Sequence, residues 1–254
     1  MNWASHRRVI YAVGALFAIL LLFSVPLYKI ITAPPLCTDE KQNGDERGVD
    51  CGGACALFCA RDAREPIVHW ARAFKVSDGI YDMVAYVENP NKEAGVENAL
   101  YAFKTYDAEN ILIAETIGKT FLLPGETFPV FLPAVRTGER VPHYTLFGFT
   151  EELRFERETR EASRVVSLSP VLGSVDTKPR LTAVVRNKTA LPVSDIDVIA
   201  IIYAGDNAVG ASATYIDRIK EHGEENAVFT WPEPFLQQIT KIEIIPRLRS
   251  RSSQ

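Results

Sequence analysis

Cysteine is scarce in this chain, and its distribution is uneven. Four cysteines occur in 254 residues, all of them between residues 37 and 59, and none occurs in the 195 positions that follow. Outside that stretch the chain has no thiol for nucleophilic catalysis, disulfide formation or metal binding.

Other signatures of chemistry are also missing. The sequence has no H-E-x-x-H, G-x-S-x-G, P-loop or G-x-G-x-x-G motif, and its four histidines are scattered. The net charge of −4 gives no general attraction for nucleic acid. We therefore predict a protein that is not an enzyme, that has no catalytic or cofactor-binding residues, and that does not bind nucleic acid.

Long apolar runs are rare too, but one is present. Residues 9–28, VIYAVGALFAILLLFSVPLY, contain no charged side chain and would span roughly 30 Å as a helix, the thickness of a bilayer core. We predict a single transmembrane helix over residues 9–31 that contacts the lipid bilayer. A cleaved signal peptide is the alternative, but its apolar region would be about 7–15 residues long and followed by a small-residue cleavage site. The segment KIITAPPLC offers no clean A-x-A site.

The four cysteines directly follow this run. Cys37, Cys51, Cys55 and Cys59 lack the C-x-x-C spacing of a thioredoxin-like redox pair, so we expect disulfides, with a four-thiolate zinc site as the alternative. Three disulfide connectivities are open. Disulfides persist in oxidising compartments, whereas the positive charges on the two sides of the helix nearly balance. The cysteines therefore favour a cytoplasmic amino terminus and a carboxy-terminal ectodomain outside the membrane.

Hard oxygen ligands lie between the cysteines. Asp39, Asn43, Asp45, Glu46 and Asp50 suggest a calcium site, since Ca²⁺ takes six to eight oxygen ligands. Their spacing does not match an EF-hand. The alternative is a solvated acidic turn, in which Asp and Asn bond to their own backbone.

The stretch NGDERGVDCGGAC, residues 43–55, resembles a cysteine motif of bacterial surface proteins, N-G-x-E-x-G-V-D-C-G-G-x-C. The resemblance implies an extracytoplasmic spacer in a bacterial envelope and hence a location in the plasma membrane. We expect the cysteines to join the membrane anchor to the ectodomain.

Beyond residue 60 the hydrophobic pattern has period two, and no segment shows a sustained helical period. The runs are short, rich in β-branched and aromatic residues, and separated by Gly-, Pro- and Asn-bearing turns. The predicted strands are 81–87, 99–106, 110–117, 128–133, 144–149, 180–187, 195–203, 208–216, 226–231 and 240–246.

The second five strands repeat the first five. Asn89 and Asn187 lie 98 residues apart, and Tyr106 and Tyr203 lie 97 apart. A repeat of this length is a whole domain. The sequence therefore predicts an all-β ectodomain of two tandem antiparallel β-sandwiches, joined by a short and fairly stiff connection.

Each repeat also resembles the bacterial FxLYD domain, which is similar to the late-embryogenesis-abundant type 2 sandwiches. The motif lies at Phe103-Lys104-Thr105-Tyr106-Asp107, with Thr in place of Leu, and the second copy keeps Tyr203 but loses Phe and Asp. The resemblance implies immunoglobulin-like seven-strand folds without catalytic residues. From the residues alone, we expect the motif, the 107–110 turn and Gly125 to shape the fold.

These observations predict six segments and a function. The segments are a cytoplasmic tail (1–8), the transmembrane helix (9–31), a cysteine-rich module (32–60), two sandwiches (61–158 and 159–247) and a disordered basic tail (248–254). We expect Arg247, Arg249 and Arg251 to belong to a solvated terminus. The favoured function is a membrane-anchored binding or scaffold protein for a protein or envelope-polymer partner. The alternatives are a structural spacer and, third, a hydrolase with its site between the sandwiches.

Overall fold

One helix and thirteen strands make up the part of the chain that the computed structural model describes, residues 3–31, 36–158 and 165–248. The chain divides into two compact units, Met1–Cys55 and Ala56–Gln254. The elements are α1 (Trp3–Ile31), β1 (Ile67–Ser77), β2 (Ile80–Glu88), β3 (Ala94–Tyr106), β4 (Leu112–Leu122), β5 (Thr127–Arg136), β6 (Tyr144–Phe149), β7 (Glu156–Arg157), β8 (Val165–Gly173), β9 (Arg180–Asn187), β10 (Val193–Ala204), β11 (Asn207–Ile219), β12 (Glu224–Thr230) and β13 (Lys241–Leu248).

The helix of the first unit is long and apolar enough to cross a membrane. Its most apolar window, His6–Ser24, has a mean hydropathy of 1.8, and none of the window is buried in the protein. The helix already begins at Trp3, so Arg7 and Arg8 lie within it. The Arg7 guanidinium covers the Trp3 ring at 4.0 Å, a cation–π contact that places charge and aromatic surface together at this end.

Two antiparallel sheets form the first sandwich. One has the strand order β1-β2-β5, and the other has the order β4-β3-β6, with β7 paired to the start of β3. Their inner faces enclose a core in which Met83, Val87, Phe103 and Phe128 are almost completely buried. Apolar side chains at alternate positions of each strand point inward and produce this arrangement.

The second sandwich repeats the same topology strand by strand. Its sheets have the orders β8-β9-β12 and β11-β10-β13, the counterparts of β1-β2-β5 and β4-β3-β6. Its core includes Leu181, Ile202 and Phe229. The prediction of an all-β protein with antiparallel sheets behind one apolar helix is thus confirmed.

The FxLYD-like segment has the geometry expected from its alternation. Phe103 and Thr105 point into the core, whereas Lys104 is exposed. Asp107 accepts hydrogen bonds from the N–H groups of Glu109 and Ile111 at 3.1 and 2.8 Å, and Asn110 takes a positive φ of 61°. The Asp side chain therefore closes the β3–β4 turn by bonding to the backbone.

Asn89 and Asn187 hold equivalent loops in the two sandwiches. The amide of Asn89 donates to the carbonyls of Ala94 and Leu123 at 2.8 and 2.9 Å. The amide of Asn187 donates to the carbonyls of Leu191 and Lys220 at the same two distances. Both asparagines are fully buried. Each one therefore donates to two backbone carbonyls of its loop, and in the first sandwich both of these bonds are buried.

The structure departs from the prediction in several places. The pattern predicts neither β1 nor the short β7, and α1 begins at Trp3 rather than at residue 9. β8 lies in the connecting stretch 160–178, part of which is apolar enough to form a first strand. The expectation of a solvated terminus is wrong for Arg247, which lies in β13 and is buried. Arg249 and Arg251 lie outside the described residues.

Candidate functional site

The two sandwiches meet through an apolar junction, which we define by the outer faces of two sheets. Ile199, Ile201, Tyr203 and Ala208 of the second sandwich pack with Ile245 against the first sandwich. Their partners there are Trp70, Phe74, Tyr86 and Phe131. As a result β10 is covered on both faces, because Val198, Ala200 and Ile202 face its own core.

A buried arginine fastens this junction. The Arg247 guanidinium donates to both carboxylate oxygens of Glu126, at 2.9 and 3.0 Å, and to the carbonyl of Phe121 at 2.9 Å. The rings of Phe121 and Phe128 lie 4.1 and 3.9 Å from the guanidinium carbon. The two charged side chains are only 6% and 9% exposed. A planar, bidentate pair between aromatic rings is the geometry for which arginine is suited.

Two tyrosines and a glutamate form a polar network in the junction. The Tyr203 hydroxyl donates to the Glu243 carboxylate at 3.2 Å, and the Tyr86 ring stacks on Trp70 with centroids 5.6 Å apart. Burial and the nearby Glu243 charge raise the pKa of Tyr86 to about 12. Burial, followed by the same carboxylate, also raises the pKa of Tyr203. Both hydroxyls therefore remain protonated donors at neutral pH.

Beside the junction lies a cleft of about 690 Å³. Strands of both sandwiches form its walls, with aromatic and proline side chains between charged ones. The described lining residues are Asp82, Glu97, Asn98, Tyr101, Lys119, Thr120, Phe121, Pro129, Val130, Phe131, Pro133, Asp197, Ile199, Ser212, Ala213, Thr214, Tyr215 and Arg247. Mixed apolar and polar walls of this size are typical of binding clefts.

Asp82 is the cleft carboxyl with the clearest structural role. It lies at a β-bulge between β2 and β5 and accepts the N–H of Ala134 at 2.9 Å. Ala134 has a positive φ of 55°, a conformation that alanine rarely adopts. Burial raises the pKa of Asp82, and the Ala134 hydrogen bond opposes this shift. Asp82 therefore supports the bulge that shapes one cleft wall.

The structure places all four predicted cysteines in disulfides. Cys37 is bonded to Cys55, and Cys51 and Cys59 are disulfide-bonded as well. Glu46 lies beside the Cys37–Cys55 sulfurs. Because oxidised sulfur is not a thiolate, these cysteines do not form the zinc site considered above.

The predicted calcium ligands Asp39, Asn43, Asp45, Glu46 and Asp50 lie in one loop, where the carboxylates of Asp50 and Glu46 accept backbone N–H groups. Asp50 accepts the N–H groups of Asp39 and Glu40 at 3.0 and 2.9 Å. Glu46 accepts those of Asn43 and Asp50 at 3.2 and 3.3 Å. Asp39 accepts the Asn43 amide at 2.8 Å. These bonds are the ones expected of the alternative, a solvated acidic turn, and calcium binding stays a prediction. If calcium binds, the melting temperature of the full-length protein should be higher in millimolar Ca²⁺ than in a chelator.

No single local motif marks the junction in the sequence. The partners Arg247 and Glu126 are 121 residues apart. One signal was available, because the run VIAIIY (198–203) in β10 is apolar at consecutive positions. A strand that is apolar on both sides has to be covered on both faces. That reading would have predicted that a second surface packs on β10.

Comparisons with known proteins identify no family for this chain. No protein-family model matches it, and no curated protein matches it. Among solved structures, it is similar to the crystal structure of red sea bream transglutaminase, with 9% identity and a TM-score of 0.24. The match covers 72% of this chain and spans 29% of that one. A similarity of this strength carries no argument about fold or function.

Proposed function

We propose that the chain is a non-catalytic, membrane-anchored binding or scaffold protein of a bacterial envelope. In this proposal α1 lies in the plasma membrane with its amino terminus in the cytoplasm. The two sandwiches stand outside, where disulfides such as Cys37–Cys55 persist. They present a surface to a protein or an envelope polymer.

The cleft between the sandwiches is the observation that carries this proposal. Its walls come from two domains, and the Arg247–Glu126 pair and the Ile201–Tyr203 face hold those walls together. A cleft with fixed walls loses little conformational entropy when a partner binds, which favours recognition. Its exposed lining includes Pro133, Ala213 and Tyr215.

Three ionisable groups of the cleft are engaged in structural contacts, which supports the non-catalytic part of the proposal. Arg247 holds Glu126, Asp82 holds the β5 bulge, and Tyr215 donates to Asp195 at 2.6 Å. A general acid or base has to be available to a substrate proton. Groups that are already committed to the fold serve that purpose poorly.

A photo-cross-linking amino acid tests the proposal. It replaces Ala213 in the cleft of the full-length protein, expressed in its source cells, and a matched variant carries it at Leu236. Leu236 is 97% exposed and lies outside the cleft lining. We expect a recurrent adduct from position 213 that is absent from position 236.

Three results would overturn the proposal. Equal adducts at both positions would show nonspecific proximity. No adduct at either position would favour the structural spacer. An adduct to a substrate that is converted by wild-type protein but not by Asp82→Asn would favour the hydrolase.

A further inference from the structure

Three strand edges border the cleft between the sandwiches. Its lining includes the consecutive runs 119–121 of β4, 129–131 of β5 and 212–215 of β11. Neighbouring side chains of a strand point to opposite faces of the sheet, so a consecutive run along a cleft indicates that the backbone edge of the strand lies there. In the described part of the chain, each of these strands is the terminal strand of its sheet.

Two of the three edges are protected against a further strand. β5 contains Pro129 and Pro133, which have no N–H group to donate to a neighbouring strand. On β4, the carbonyl of Phe121 already accepts the Arg247 guanidinium at 2.9 Å. Proline and charged side chains are common means of protecting a terminal strand.

The third edge, that of β11, is closed only before the cleft. Arg72 donates to the carbonyl of Ala208 at 2.9 Å, and the Trp231 indole donates to the carbonyl of Ala211 at 3.1 Å. Backbone groups point to alternate sides along a strand, so the N–H and C=O of Ala213 point to the same edge as those of Ala211. Among the described residues, no side chain or loop closes the edge at Ala213.

The pairing of β10 agrees with this direction. Val198 pairs with Thr214 on one side and with Pro246 on the other. Since Pro246 has no N–H for the Val198 carbonyl, Val198 directs its backbone groups to Thr214. Thr214 therefore bonds to β10, and its neighbour Ala213 directs its N–H and C=O away from β10 and toward the cleft.

Side chains leave room for a strand beside this edge. Ser212, Ala213 and Thr214 are small, and Ala213 is exposed. The same cleft is lined by Phe131 and Pro133 of β5, an apolar surface on which the side chains of an added strand can pack.

The cleft also carries more negative than positive charge. Four carboxylates stand against two cations when the buried partner of Arg247 is counted, so the cleft favours a cationic side chain. The carboxylates are those of Asp82, Glu97, Asp197 and Glu126, and the cations are Lys119 and Arg247.

We infer that the cleft binds an extended, basic polypeptide segment of a partner protein, which adds to β11 as a further strand. The segment exchanges hydrogen bonds with the N–H and C=O of Ala213, and its Lys or Arg side chains meet the cleft carboxylates. At about 3.3 Å per residue, the run 212–215 pairs with about four residues of the segment. The inference rests on the proposed function, because it names the class of partner for the same cleft.

Random dodecapeptides displayed on phage are the probe for this inference. They are selected against the full-length protein in phosphatidylcholine nanodiscs, which lack the anionic lipids that attract basic peptides. Affinities of the selected peptides are then measured by fluorescence anisotropy. We expect peptides that are rich in Lys and Arg and poor in Pro, and that bind about tenfold more weakly when Glu replaces the basic residues.

Strand addition has a signature in the peptide backbone. Only every second amide of an added strand points to β11, so each peptide is made in two N-methylated forms, one for each alternating set of amides. One form is expected to bind about tenfold more weakly, because it loses hydrogen bonds to the edge, and the other is expected to keep its affinity.

A protein variant tests the same contact from the other side. Ala213→Pro removes the N–H that points to the edge and is expected to weaken binding by about tenfold, whereas the matched control Ala213→Ser keeps the N–H and the affinity. Proline is tolerated where the N–H of a terminal strand faces outward, so the melting temperature should stay close to that of wild-type protein. The N-methylated peptides give the answer even if Ala213→Pro does not fold.

Several results would overturn the inference. Two N-methylated forms that bind alike would show that strand pairing does not hold the peptide. Acidic or proline-rich peptides would contradict the chemistry assigned to the segment. If no peptide is selected, the strand addition is wrong, but a recurrent cellular adduct at position 213 still supports the proposed function. An adduct there to a glycan would leave the cleft as a binding site and replace the polypeptide.

Discussion

The outer face of β10 in the second sandwich and that of β3 in the first occupy equivalent positions and have opposite surroundings. Ile201 is 0% exposed beneath the first sandwich, whereas its counterpart Lys104 faces solvent. The two sandwiches share one topology, but this outer face is apolar and covered in the second sandwich, whereas it is mixed in composition and exposed in the first. In a duplicated fold, the residues on the outer faces decide which copy packs on which, while the inner faces keep the fold.

Loss of the Arg247 side chain is expected to have the largest effect on the covered face. Arg247→Met leaves the buried Glu126 carboxylate without its partner, and removing one member of a buried pair typically costs about 3–5 kcal/mol. The free energy of unfolding of the full-length protein is measured by urea denaturation, with the fluorescence of Trp70 and Trp231 as the signal.

Arg186→Met is the matched control for that variant. The Arg186–Glu224 pair is half exposed, with side chains 49% and 43% accessible, so its loss should cost about 0–1 kcal/mol. Equal losses in the two variants would show that the Arg247 pair does not hold the junction.

Truncation of equivalent side chains on the two faces compares them directly. Ile201→Ala removes buried apolar surface and should cost about 2–5 kcal/mol. Lys104→Ala removes an exposed ion pair and should change stability by less than about 0.5 kcal/mol. Both are measured by urea denaturation. A loss at Lys104 as large as that at Ile201 would contradict the assignment of an open and a covered face.

The strands were more predictable than the junction for a physical reason. Alternation along β6 and β9 is a local signal, and the predicted ranges 144–149 and 180–187 agree with the structure at both ends. The burial of Arg247 could not be predicted from such a local signal. An arginine near the end of a sequence is expected to be solvated unless its distant partner, here Glu126, is known. β1 was missed although WARAF alternates, since its mixed polar residues weaken the pattern.

The candidate site was predictable only in part. The sequence located the cysteines, and the structure shows them oxidised. The cleft arises from the packing of two outer faces. No sequence motif near Asp82, Tyr101 or Tyr215 indicates that packing. A site formed between domains depends on their relative placement, which single-sequence patterns do not contain.

Asn89 and Asn187 should respond alike, in contrast to the two outer faces. Asn89→Ala removes the donor of two buried hydrogen bonds, and Asn187→Ala removes the donor of two part-buried ones. Each variant is expected to lose about 1–3 kcal/mol. The two variants are compared by urea denaturation with wild-type protein. A large loss in one sandwich and none in the other would show that the equivalence of the two loops does not extend to their energetics.

The smallest expected effect is a pH dependence that belongs to the covered face. The folded-state pKa of Tyr86, about 12, lies above the value of about 10 for an exposed tyrosine. The unfolded chain therefore loses this proton first, so the contribution of Tyr86 to stability is complete below about pH 10 and is lost between about pH 10 and 12. Tyr86→Phe should make the decline of stability over this interval shallower, as measured by urea denaturation at a series of pH values. An unchanged decline would indicate that Tyr86 reaches water, and hence that the junction opens more readily than its packing suggests.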